Sequence, residues 1–115
     1  MRVAMPITNN VLSVSFEHCD QFAIYTLKGS KITKKELLIH SETEPELIPD
    51  ILENKGVTDV IANKITTHTI AILNTKKMNV FIGVTQKYPK GIIEDFLNGC
   101  LSTKDNTTEN ETTME

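Results

Sequence analysis

Two β-rich runs, FAIYTLKG at residues 22–29 and KITKKELLI at 31–39, constrain the fold of this chain more than any other feature. Only Ser30 and its neighbours separate them, and a Lys-Gly turn signal closes the first run, so they predict an antiparallel hairpin. Beyond the hairpin, helical and extended patterns alternate. EPELIPDILENK (44–55) places Leu47, Ile48, Ile51 and Leu52 on one stripe and predicts a helix. Pro49 sets the regular helix to begin near itself, and Gly56 suits the position after the helix end. VTDVIA (57–62) reads as a short strand. Thr66 or Thr67 caps a helix over 67–77, with Ile70, Ala71, Leu73 and Asn74 setting its period. MNVFIGV (78–84) is a further strand. A last helix starts near Pro89, presents Ile92, Ile93, Phe96 and Leu97, and stops at Gly99.

With RVAMPI (2–7) as the opening strand and 8–21 as a long loop turning at Asn9-Asn10, the predicted order is β-β-β-α-β-α-β-α. Each β-α-β piece requires a parallel crossover, and helices must cover both faces of the mixed sheet. The fold class is therefore α/β, a three-layer α/β/α sandwich on a five-stranded mixed sheet. Residues 1–101 form one domain. The segment 102–115 is acidic and threonine-rich, has Met114 as its one large apolar side chain, and is expected to be disordered.

Charge sharpens the division. The segment from Ser102 onward sets Lys104 against Asp105, Glu109, Glu111 and Glu115, so it carries all of the net charge of −3 and residues 1–101 are neutral. A neutral domain has no electrostatic footprint for nucleic acid. The pairs Lys34-Lys35 and Lys76-Lys77 read as solvated faces. No apolar run approaches the ~20 residues that span a bilayer, and MRVAMPITNN does not read as a signal peptide, so the expected location is the cytoplasm. The two cysteines, Cys19 and Cys100, form no CxxC pair and are expected as free thiols, Cys100 as a buried structural one.

The stretch SFEHCDQF (15–22) concentrates ligand-capable groups: Glu17, His18, Cys19 and Asp20 between Phe16 and Phe22. A thiol beside an imidazole is suitable chemistry for iron or zinc. One Cys and one His nevertheless fall short of the usual four cluster ligands, and adjacent residues of an extended chain point opposite ways. The stretch is either a metal site or a polar loop pinned by two aromatic anchors. Topology adds company. The carboxyl ends of the predicted parallel strands share one edge, where ligands of open α/β sheets bind. Loop 8–21 brings Ser15, Glu17, His18, Cys19 and Asp20 there. Loop 62–68 brings Asn63, Lys64, Thr66, Thr67 and His68, and loop 83–88 completes the edge. His68 falls in the first turn of its helix, where the dipole disfavours an imidazolium. His40 reads as a surface residue. Among enzyme signatures, the nucleophile elbow G-x-S-x-G, the zinc motif H-E-x-x-H and the P-loop are all missing, and the sequence predicts no enzyme.

The opening RVAMPITNN, the spaced Phe16 and Phe22, the segments GVTDVIANKI and TIAILNTKKMNVFIG, and the closing IIEDFLNGCL come in an order and spacing that resemble the dinitrogenase iron–molybdenum cofactor biosynthesis family, the NifX-like domains also found at the end of NifB proteins. The resemblance implies a ribonuclease H-like fold with a five-stranded mixed sheet. It also implies a non-catalytic small binding protein that carries an iron–sulfur or iron–molybdenum cofactor precursor between cofactor-assembly proteins. On that reading Ser15, Glu17, His18, Cys19, Asn63, Lys64, Thr66 and His68 frame the cofactor, and His18 and Cys19 are its metal ligands. The chain departs from the family pattern at two places. Ser15 and Glu17 flank Phe16 where the family writes His and Gly, and ANKITTH (62–68) holds no glycine. Two further readings stand beside the first: a metal-free interaction or regulatory module that kept the fold and lost the site, and an enzyme for a small anionic substrate using Lys64 and His68. Ribonuclease chemistry lacks its acidic cluster, since RVAMPI carries no acid and Asp59 stands alone.

Overall fold

The computed structural model describes residues 1–39, 44–101 and 103. His40 and, apart from Thr103, the segment 102–115 lie outside them. The chain forms β1 (Arg2–Thr8), β2 (Val11–Leu12), β3 (Gln21–Lys28), β4 (Lys31–Ile39), α1 (Ile48–Asn54), β5 (Asp59–Ile61), α2 (Thr67–Thr75), β6 (Asn79–Phe81) and α3 (Pro89–Leu97). The six strands make one mixed sheet of order β4-β3-β1-β5-β6, with β2 paired to β1 off that path.

The hairpin closes as predicted, Lys28 opposite Lys31 across Gly29-Ser30, with Gly29 at a positive φ of 62°. β1 pairs antiparallel with β3 and parallel with β5, and β5 pairs parallel with β6. The sheet has six strands where the sequence predicts five. The extra one is β2, inside what reads as a loop. Asn9 and Asn10 both take positive φ, 52° and 68°, and close a two-residue turn that folds Val11 and Leu12 back against Thr8 and Ile7. Turns of this twist accept Asn at both central positions, which lets so short a strand form.

Each face of the sheet has its own core. On one, α3 packs Ile92 and Ile93 against Val3, Met5, Ala23, Tyr25 and Ile61, with Phe81 and Phe96 meeting edge to face. On the other, α1 and α2 pack Ile48, Leu52 and Leu73 against Ala4, Phe22, Ile24 and Val60. Three layers are the result, and both faces of β1 are buried.

Some side chains depart from their predicted places. Regular helix begins at Ile48, next to Pro49 as expected, but Leu47 falls in a preceding 3₁₀ turn and is exposed. In α2 only Leu73 is buried, while Ala71 and Asn74 face outward. Lys76 is not simply solvated: it bridges to Asp50 at 2.7 Å and Glu53 at 3.1 Å, which ties the end of α2 to α1. Cys100 is exposed rather than buried, because Gly99 at φ 71° turns the chain off the end of α3.

Candidate functional site

The loops after β1, β5 and β6 meet at one edge, joined by backbone hydrogen bonds. Phe16 N donates to Lys64 O at 2.9 Å and Lys64 N to Val14 O at 3.0 Å, which makes Ser15 and Lys64 a parallel bridge outside the named strands. Gly83 N donates to Asn63 O at 2.9 Å, and Leu12 N to Lys87 O at 3.1 Å. The Asn63 amide donates to Val84 O at 2.8 Å, and the Gln86 amide to Leu12 O at 3.0 Å. The edge is thus a fixed platform, and the Asn63 amide group is committed to building it.

Within SFEHCDQF the aromatic anchors are real. Phe16 and Phe22 are both buried, their ring centroids 5.0 Å apart at 63°. The turn between them is held from inside. Ser13 is buried, accepts from the Thr8 hydroxyl at 3.1 Å and donates to His18 O at 3.2 Å, and His18 N donates to Ser15 Oγ at 3.3 Å. Ser13 is a residue that sequence reasoning passes over, because nothing in its local pattern separates it from an exposed loop serine.

Glu17 joins this loop to α2. Its carboxylate accepts from the Thr66 N–H and the Thr66 hydroxyl, both at 3.2 Å. Thr66, the residue capping α2, in turn accepts from Thr69 N at 3.2 Å. A carboxylate beside a helix start is favoured by the helix dipole, so the chain supplies its own anion there. Thr66→Ala removes the cap and the hydroxyl contact to Glu17 together. It is expected to lower the unfolding free energy by about 1–2 kcal/mol, read from denaturant melts, whereas Thr67→Ala is expected to change it little.

The predicted metal ligands part company at the backbone. His18 is exposed, whereas Cys19 is half-buried and packs against the α1–α2 core. Burial pushes the Cys19 thiol up from its ordinary value of 9.0 to about 12, with Asp20 and Glu17 adding to the rise and backbone hydrogen bonds at Ile7 and Gln21 opposing it. Its Sγ lies 3.7 Å from Phe16 O. His68 and Lys64 are exposed on the neighbouring loop and helix start. Among the described residues no group of three or more His, Cys, Asp or Glu side chains is placed to hold a metal ion. One half-buried, protonated thiol and one outward imidazole do not make a closed resident metal site. Asp59 is buried and occupied, with Thr58 Oγ1 at 2.6 Å and Asn79 Nδ2 at 3.2 Å.

A family profile described as dinitrogenase iron-molybdenum cofactor matches residues 1–99. The chain belongs to that family. An uncharacterized protein of Methanocaldococcus jannaschii is 26% identical over 106 residues, 88% of this chain and 89% of that one. Among solved structures, PH0822 superposes with a TM-score of 0.85 at 22% identity, over 96% of this chain and all of the other. The apo form of the orange protein of Desulfovibrio gigas superposes with a TM-score of 0.73 at 12% identity, over 90% and 92% of the two chains. At these identities the superpositions establish a common fold. For this dinitrogenase iron-molybdenum cofactor family member, no helix among the described residues is long and apolar enough to cross a membrane.

Proposed function

We propose that this protein is a non-catalytic binding protein that holds an iron–sulfur or iron–molybdenum cofactor precursor as cargo at the carboxyl-end edge of its sheet. One observation carries the reading: in a member of this family, the loops bearing Ser15, Glu17, His18 and Cys19 and those bearing Asn63, Lys64, Thr66 and His68 are stitched into one edge. Cys19 and His18 would bind iron, and Lys64 would offset the negative charge of a sulfide-bearing cargo. An open donor set suits a cluster that arrives with its own sulfide and is handed on to cofactor-assembly proteins in the cytoplasm. The ribonuclease H-like affiliation belongs to the same reading, without nuclease chemistry.

A metal-free interaction module is the second reading. It is favoured by the Glu17 carboxylate seated at the start of α2 and by a Cys19 thiol held in its protonated form. Anaerobic reconstitution with iron and sulfide separates the two. Stoichiometric iron with thiolate-to-iron charge-transfer absorption, lost in Cys19→Ala, is the result expected for a carrier. A colourless, well-folded, iron-free protein would remove the carrier reading and leave the interaction module.

A further inference from the structure

The outer half of the sheet, on the face that α3 covers, is incompletely shielded. Across the hairpin Ile32, Lys35, Leu37 and Ile39 pair with Leu27, Tyr25, Ala23 and Gln21. Leu27, Tyr25 and Ala23 belong to the core beneath α3, so their β4 partners face the same side. There α3 does not shield them: Leu37 is 53% exposed, Ile39 59% and Ile32 37%. Tyr88, 69% exposed, stands across a groove of about 280 Å³ lined by Tyr25, Lys35, Leu37, Pro89 and Lys90. β4 is also the terminal strand of the sheet, with one backbone edge unpaired among the described residues.

The lysines of the hairpin divide between its two faces: Lys35 lies on the groove side with Tyr25, and Lys28, Lys31 and Lys34 alternate to the other, where side chains of a strand added at the β4 edge would also reach. Lys28, Lys31, Lys34 and Lys35 lie on the hairpin and Lys90 borders the groove. Among the described residues none of these lysines is in an ion pair. Glu36 is engaged elsewhere, bound by Arg2 and Lys55. Lysines along an exposed edge oppose pairing with the same edge of a second copy. An acidic, extended strand meets no such opposition.

We propose that the chain's own acidic segment, residues 103–115, docks along β4 and over this groove. The segment holds the whole net charge of −3, with Asp105, Glu109, Glu111 and Glu115 available to the lysines. It starts close by, since Leu101 lines a groove with Lys87, and Tyr88, the next residue after Lys87, lines the β4 groove. Fourteen residues, 102–115, reach about 46 Å when extended, more than the longest dimension of the protein, 38 Å. The composition fits an added strand: five threonines, no proline or glycine, and Met114 as an apolar side chain for the groove.

Amide hydrogen exchange of the full chain tests the proposal, independently of the cofactor reading. The comparison is with a full-length variant carrying Asp105→Asn, Glu109→Gln, Glu111→Gln and Glu115→Gln. At low salt the β4 amides are expected to exchange about tenfold more slowly in the natural chain than in the variant, and the difference is expected to collapse near 0.5 M salt (about 4 Å of screening length). A Lys34→Glu, Lys35→Glu chain should lose the same protection. Equal β4 exchange in the natural and neutralised chains overturns the proposal. Protection that grows with protein concentration overturns it too, by assigning the segment to a second copy.

Discussion

Phe22→Ala is expected to lower the unfolding free energy by about 3–5 kcal/mol, a large share of the roughly 5–15 kcal/mol that holds a domain together. The magnitude follows from position. Phe22 is completely buried in the α1–α2 core, opposite Pro6 on one side and Leu38 on the other. The cavity left by the ring would lie between the sheet and the α1–α2 layer, over a strand paired on both sides whose backbone hydrogen bonds resist collapse into it. Phe16→Ala is expected to be of similar size, because Phe16 is buried beside it. The double variant should fall short of the sum by about 0.5–1.5 kcal/mol, the value of an edge-to-face aromatic pair. Urea unfolding of the four proteins gives all of these quantities. A loss under about 1 kcal/mol for Phe22→Ala, the size of an ordinary surface or peripheral change, would show that the ring is not the anchor of the loop.

Much of this fold is legible in the residues, and the remainder escapes for identifiable causes. The Gly29-Ser30 hairpin, the cap at Thr66, the Gly56 and Gly99 stops and the proline start of α3 are local signals with local outcomes, and each appears where its chemistry puts it. β2 escapes because two residues have no periodicity to read; its signal is the Asn9-Asn10 pair, whose tolerance of positive φ permits a tight turn as well as a loop. Leu47 and Ala71 miss the core because a helical stripe gives spacing but not the angle at which the helix lands. The convergence of the three loops follows from topology, since parallel strands must share an edge for their carboxyl ends. The separation of His18 from Cys19 comes instead from the turn over 16–18, closed by His18 N on Ser15 Oγ, which no periodicity announces. What the sequence withholds is the partner each polar group finds. Glu17 reads as one acid in an acidic cluster, and only the position of Thr66 makes it a link between two elements.

Cys19 is expected to alkylate with iodoacetamide about two to three orders of magnitude more slowly than Cys100 at pH 8, since only the thiolate reacts. A thiol pushed up to about 12 is overwhelmingly protonated there, whereas Cys100 is exposed. The same shift has a sign for stability. The folded protein keeps the Cys19 proton to about pH 12, and the unfolded chain releases it near 9. The contribution is therefore complete below about pH 9 and lost as pH rises toward 12. The order of causes can be tested separately. Burial comes first, so Phe16→Ala, which opens the packing around the loop, should accelerate Cys19 alkylation more than Glu17→Gln with Asp20→Asn, which removes the secondary electrostatic contribution. Mass spectrometry of time-quenched samples resolves the two cysteines. Equal rates at Cys19 and Cys100 in the native protein would mean that the thiol is not held against the α1–α2 core. It would then be available as a thiolate to iron at neutral pH. A slow Cys19 means instead that any metal it binds must first displace a proton from a half-buried thiol, so that binding by this residue strengthens as pH rises.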